Sequence, residues 1–302
     1  MPSRRTTARG TPVLALAVVL ALGTGTAAAG SRTSPTTIVF PVLASATYHD
    51  DFGEPRPGGP HQGIDILAPK RSLALAAEAG KVEFWTASRT AGCMLYLHGV
   101  SGTTYDYIHL NNDLTARNDN RGKCVAGSAY ARGLKSGAKV ASGQPVGYVG
   151  DSGDADGAHA HLHFELHPGG GRAVDPYPWL NRARHLLFTA PRGTPFMLEL
   201  RGRVASVSQN ALRLKAGSVD AWPMRQHQSK LRRTLLVLVP ASAAVESVTT
   251  PGGHGTPAKL SSARAGQQVD LWTALAPTTL KAERGDDLAL TASVVSLVVP
   301  QR

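Results

Sequence analysis

The sequence predicts a mainly β protein: a first block of antiparallel sheets followed by a small β-barrel-like block. Three observations carry this. Short strand-like stretches recur along the chain, each set off from the next by Gly, Asn or Asp turn signals. The 32 glycines and 20 prolines among 302 residues favour turns and short strands over long helices. A turn-rich stretch near residues 188–195 then divides two strand-rich regions, and the length suits about two domains.

Residues 1–29 read as an export signal. Arg4, Arg5 and Arg9 precede an apolar run, Val13 to Leu22, that is short for a bilayer span, and Ala27-Ala28-Ala29 supplies small residues for cleavage before Gly30. An uncleaved membrane anchor is the alternative. No later segment is apolar for long enough to span a membrane, so the expected mature protein is soluble and exported. Residues 30–37 are Ser/Thr/Pro-rich and read as a flexible leader.

The first block, 38–187, carries strand-like stretches at 73–77, 81–85, 94–97, 104–109, 145–149 and 159–166, with one short helical turn near 178–184. After the linker at 188–195, block 196–302 reads as strands at 196–208, 212–215, 234–239, 244–249, 268–275 and 287–299, with Gln209-Asn210 as a hairpin tip. Six strands in about a hundred residues suit a closed or nearly closed barrel, which protects strand edges.

The formal net charge is +11, and loss of the three leader arginines leaves +8. Such a surplus concentrates anionic partners, here wall polymers or phospholipid surfaces, or it serves solubility alone. No base-reading motif points to nucleic acid. Cys93 and Cys124 are the two cysteines. In an exported chain they read as a disulfide, closing a loop worth roughly 3–4 kcal/mol; two buried thiols are the alternative.

Two clusters carry metal chemistry: His61-Gln-Gly-Ile-Asp65, and His159-Ala-His161-Leu-His163-Phe-Glu165. Imidazole and carboxylate are zinc donors, and a catalytic zinc takes three protein ligands with one position open for water. One His and one Asp from the first cluster, with one His from the second, make that set, and spare imidazoles remain for proton transfer. A strand period of two puts His159, His161, His163 and Glu165 on one face and Leu162, Phe164 and Leu166 on the core face. His61 and Asp65 flank Gly63 in a loop that enters a strand. His109 ends the alternating stretch Tyr105-Asp-Tyr-Ile-His.

These residues resemble the lysostaphin-type zinc metallopeptidases, which cut peptidoglycan. The marks are His-x-x-x-Asp at 61–65, Tyr-x-His-Leu at 107–110 and His-Leu-His-Phe-Glu at 161–165, in the family's order. Flanking Gly80-Lys-Val82, Gly143-Gln-Pro-Val-Gly147, Gly150-Asp-Ser-Gly153 and Val174-Asp-Pro176 agree, and the resemblance covers about 38–185. It implies an antiparallel β fold with an open groove for an extended peptide. It implies that His61, Asp65 and His163 bind Zn2+, that His161 and His109 handle protons, and that the chain hydrolyses bonds in peptidoglycan stem peptides or cross-links.

Two departures stand out. His159 adds a second His-x-His register and competes for the metal or sits on the rim. No tyrosine lies in Glu54 to Pro60 to help hold the transition state, where Arg56 offers charge instead. Glu165 and Asp106 read as imidazole-orienting partners or as solvated surface carboxylates. A non-catalytic wall protein that activates another hydrolase and a general secreted metalloprotease are the alternative functions. Beyond residue 196, His227 and His254 are isolated, and Lys230-Leu-Arg-Arg233 is a basic run that suits either a solvated face or contact with anionic polymer.

Overall fold

The computed structural model describes Pro35 and residues 37–86, 88–115, 117–286 and 290–299. The expected signal segment 1–29 and most of the 30–37 leader lie outside the described residues. The rest forms one compact unit. Among the described residues no helix is long and apolar enough to cross a membrane.

The first block contains β1 (Val42–Leu43), β2 (Pro55–Arg56), β3 (Gly59–Pro60), β4 (Ile64–Leu67), β5 (Leu73–Leu75), β6 (Gly80–Trp85), β7 (Cys93–Gly99), β8 (Thr104–Leu110), β9 (Lys139–Val140), β10 (Pro145–Tyr148) and β11 (His161–His167), then the short helix α1 (Tyr177–Leu180). A six-stranded sheet runs β4-β11-β8-β7-β6-β9, a three-stranded sheet runs β1-β5-β10, and β2 and β3 form a small hairpin. All these pairings are antiparallel.

The alternation read in the last motif is realised in β11. Leu162, Phe164 and Leu166 are fully buried, while His161, His163, Glu165 and His167 take the opposite face. Phe164 meets Tyr105 and Tyr107 at ring-centroid distances of 5.8 and 5.3 Å. Burying each such aromatic contributes about 1.5–3 kcal/mol. The Tyr107 hydroxyl has partners in the dry interior, donating to Leu75 O (2.9 Å) and accepting from Ala77 N (2.8 Å). One core cluster draws Val42 and Ala74 from the small sheet together with Leu95, Tyr105, Tyr107 and Phe164 from the large one. Cys93 and Cys124 are joined as a disulfide, with Cα atoms 5.1 Å apart.

His159 departs from the expected strand. β11 begins at His161, and His159 is exposed in the preceding loop.

The second block contains β12 (Pro195–Ser208), β13 (Ala211–Trp222), β14 (Gln226–Leu238), β15 (Ala244–Val248), β16 (Thr256–Pro257), β17 (Gln268–Thr273), β18 (Ala276–Pro277), the helix α2 (Leu280–Arg284) and β19 (Ala292–Val298). The sheet runs β14-β13-β12-β17-β19-β15-β16, with β18 paired to β12. No closed barrel forms among the described residues; one isolated bridge, Leu238 to Thr291, brings β14 to the start of β19. The strand β14 instead carries the exposed Lys230 and Arg232, charges that deter strand addition.

This block has its own core, and Leu187 from the end of the first block and Phe188 from the linker belong to it. A small third cluster joins Val39, Leu43 and Leu75 to Leu186, with Leu280 packed against it. Gln228 donates to the carbonyls of Leu186 and Leu187, and Thr189 Oγ1 donates to Gly143 O at 2.8 Å.

Candidate metal centre

The strand pairing sets the first donors. β11 lies against β4 with His163 opposite Asp65, which puts two of them side by side. His61 sits in the loop before β4, and Gly63 lets that loop pass close to β11. A Cβ at position 63 would stand 2.6 Å from Phe164 O and 2.8 Å from the His163 ring, so a larger residue would push the loop away.

Three donor atoms converge. His61 Nε2 lies 2.9 Å from His163 Nδ1 and 3.2 Å from Asp65 Oδ1, and His163 Nδ1 lies 3.1 Å from Asp65 Oδ1. A tetrahedral zinc with bonds of about 2.0–2.1 Å separates its ligands by about 3.3 Å, so this triangle fits with a small expansion. The opposite ring nitrogens decide which lone pairs are available. His61 Nδ1 donates to Asp51 O (2.9 Å), leaving the Nε2 lone pair facing the triangle. His163 Nε2 donates to Glu165 Oε1 (2.9 Å), leaving Nδ1 as its inward atom. Such outer hydrogen bonds orient metal-binding imidazoles and raise their basicity.

Electrostatics agree with a cation at this point. Burial works to raise the Asp65 pKa, but the close contacts with His163 and His61, with charge from His161, hold it well below the carboxylate range. Burial likewise opposes charge on His163, yet bonds to Asp65 and Glu165 outweigh it and raise the pKa to about 9. In the metal-free protein a proton therefore occupies the triangle. Arg56 reaches Asp65 Oδ2 at 3.3 Å and Asp51 Oδ2 at 3.2 Å, so it braces the Asp65 carboxylate.

His161 and His109 stand beside the triangle. His161 Nδ1 donates to His159 O (2.9 Å), and its Nε2 lies 3.7 Å from Asp65 Oδ1. The His109 ring centroid is 5.0 Å from that of His161 and 6.0 Å from that of His163. Strict alternation after Tyr105 and Tyr107 would turn His109 to the core. Its backbone instead adopts φ 60°, a left-handed conformation that swings the side chain to the site face. Such strain in a non-glycine residue persists only where its surroundings hold it. Ser152 is the clamp: its carbonyl accepts from His109 Nδ1 (2.8 Å), while its Oγ donates to Leu110 O (2.6 Å) and accepts from Cys93 N (2.9 Å). Burial, with a further push from His161, lowers the His109 pKa to about 4.

Glu165 and Asp106 are not solvated. Glu165 bridges His163 and His167, with His167 Nε2 only 2.6 Å from its Oε2. Burial raises its pKa, but those two histidines draw it down to about 2. Asp106 is buried beside them, and burial pushes its carboxyl up to about 7. Asp51 and His167 lie in no motif, and Ser152 is legible only as part of the Gly150-Asp-Ser-Gly153 flank. His227 pairs with Asp220 (2.8 Å) on an exposed strand pair, far along the chain from these clusters. Arg233, rather than being solvated, donates to His185 O (3.1 Å) and to Arg284 O.

A cavity of about 1400 Å³ lies between the blocks and includes none of the candidate ligands. Lys70, Arg71, Arg132, Arg192 and Arg225 line it. The candidate donors converge instead in the histidine cluster.

No family model matches the chain. The L-Ala–D-Glu endopeptidase of Bacillus subtilis (strain 168) is 28% identical over 152 residues, covering 47% of this chain and 41% of that protein. The chain thus spans about two-fifths of the length of this curated relative. The catalytic domain of lysostaphin from Staphylococcus simulans is 24% identical, over 46% of this chain and 92% of that one, with a TM-score of 0.35. A zinc-containing peptidase from Vibrio cholerae is 22% identical, over 46% of this chain and 38% of that one, with a TM-score of 0.33. By the order of its motifs and by its curated relative, the first block is similar to the lysostaphin-type peptidoglycan endopeptidases.

Proposed function

We propose that the chain is an exported, zinc-dependent endopeptidase that hydrolyses peptide bonds in peptidoglycan stem peptides or cross-links. The observation that carries this is the triangle of His61 Nε2, Asp65 Oδ1 and His163 Nδ1, with two further imidazoles at its edge. His61, Asp65 and His163 would hold the ion. Zinc bound there would supply a water that ionises near neutral pH and would polarise the scissile carbonyl.

His161 is the general base in this reading. Its Nδ1–H is fixed on the His159 carbonyl, so its Nε2 lone pair is free to take the water proton. His109 is pinned in the same tautomer by Ser152. Burial keeps it neutral, so the proton that His161 takes from the water is the one returned to the leaving amine, by His161 directly or relayed through His109 Nε2. Glu165 and Asp51 hold the two ligand rings in register. The similarity to a wall endopeptidase supports a peptidoglycan substrate.

The second block packs on the first through buried contacts of Leu186 and Gln228, which favours a bracing role for it. The disulfide belongs to the same exported reading, and non-reducing peptide mapping should recover Cys93 joined to Cys124. Digestion of purified walls alongside casein tests the substrate. Release of new peptide termini from walls, with casein left intact, is expected; the reverse would favour a general protease.

A further inference from the structure

We propose that Asp106, Glu165 and His167 form a second divalent-cation site of zinc type, next to the first centre but sharing no donor atom with it. Glu165 and Asp106 are directly paired across β11 and β8, and His167 follows two residues on along the same face. One donor atom from each of the three lies within 4.8 Å of the others. His167 Nδ1 donates to Gly171 O (2.9 Å), which directs Nε2 at the carboxylates, where its N–H donates to Glu165 Oε2 until a metal displaces that proton. That atom is 2.6 Å from Glu165 Oε2 and 3.8 Å from Asp106 Oδ2.

Asp106 supplies the independent observation. It is only 8% exposed, and its Oδ1 is buried with no hydrogen-bond partner among the described residues. A buried carboxylate oxygen left without a donor is costly, and a second carboxylate opposite adds repulsion. A cation held between the two carboxylates, with Asp106 Oδ2 facing His167, offsets that repulsion and neutralises the otherwise unpartnered Asp106 side chain. One imidazole and two carboxylates form an N/O donor set suited to zinc, and three ligands leave a position for water. Glu165 makes the two centres neighbours, since its Oε1 accepts from His163 Nε2 while Oε2 faces His167. Filling one centre would therefore be felt at the other.

This inference does not depend on the wall-peptidase reading. The test is stoichiometry, with Zn2+ alone added to the metal-stripped full-length mature protein and bound metal measured at fixed micromolar free zinc. The wild type is expected to take two zinc ions per chain, and Asp106→Asn and His167→Gln one each. His61→Ala is expected to take one, which is lost when His167→Gln is added. His167→Gln carries the test if the buried Asp106→Asn chain fails to fold. A wild type that saturates at one zinc, lost in His61→Ala, would overturn the second site and leave the first standing. Two zinc ions retained in both Asp106→Asn and His167→Gln would also overturn it.

Discussion

Ser152→Ala separates the clamp on His109 from the metal ligands. Ser152 is 2% exposed, and its Oγ serves two buried backbone groups, Leu110 O and Cys93 N. Alanine leaves the Ser152 carbonyl on His109 but strips both groups of their partner. At about 1–2 kcal/mol for each orphaned group, the loss comes to about 2–4 kcal/mol. For a chain of this size that lowers Tm by roughly 5–15 °C. The loosened segment also frees a ring held in left-handed backbone, and a displacement near 1 Å can cost ~10²-fold in rate. Turnover should therefore fall about tenfold, less than on removing the imidazole, while zinc content stays at the wild-type level. Calorimetry, metal analysis and a wall-turbidity assay read the three quantities. A Tm within a degree of wild type together with unchanged turnover would refute the clamp. Loss of zinc would refute its separation from the ligands.

Three further outcomes are expected. His163→Ala should lose metal at the first centre and wall cleavage, whereas His159→Ala should keep both, because His159 is exposed outside β11; the opposite result would reverse the register. His161→Ala and His109→Ala should retain zinc while losing about 10²–10⁴-fold in turnover, the usual contribution of positioned proton transfer, as measured by metal analysis beside wall digestion. The pH dependence follows from His163, whose pKa in the metal-free fold is raised to about 9. That contribution to stability is complete below about pH 6.5 and is lost as pH rises toward 9. Zinc must displace the same proton, so zinc affinity should strengthen about tenfold per pH unit across that window, measured by competition with a chelator.

Much of the site was legible because strand periodicity and motif spacing are local. The alternation in 161–167 placed Leu162, Phe164 and Leu166 in the core, and His61 with Asp65 flanking Gly63 read as a loop entering a strand. His159 misled because alternation alone cannot mark where a strand begins. His109 shows the converse limit: φ 60° breaks the period, and its cause lies in Ser152, 43 residues away. Glu165 and Asp106 read either as imidazole-orienting partners or as solvated carboxylates, because the burial that decides between these comes from cross-strand pairing. In the second block, β14 was expected from 234 but begins at Gln226, since its first half is polar and charged as an edge strand requires. Barrel closure is a long-range property, and there the strands chose an open path.

Mass spectrometry of muropeptides from purified walls tests the central claim most directly, using protein stripped of metal by a chelator and the same protein reloaded with zinc. The account predicts new peptide termini only from the reloaded protein, and none from reloaded Asp65→Asn. Cleavage by the stripped protein, or by Asp65→Asn at the wild-type rate, would contradict it.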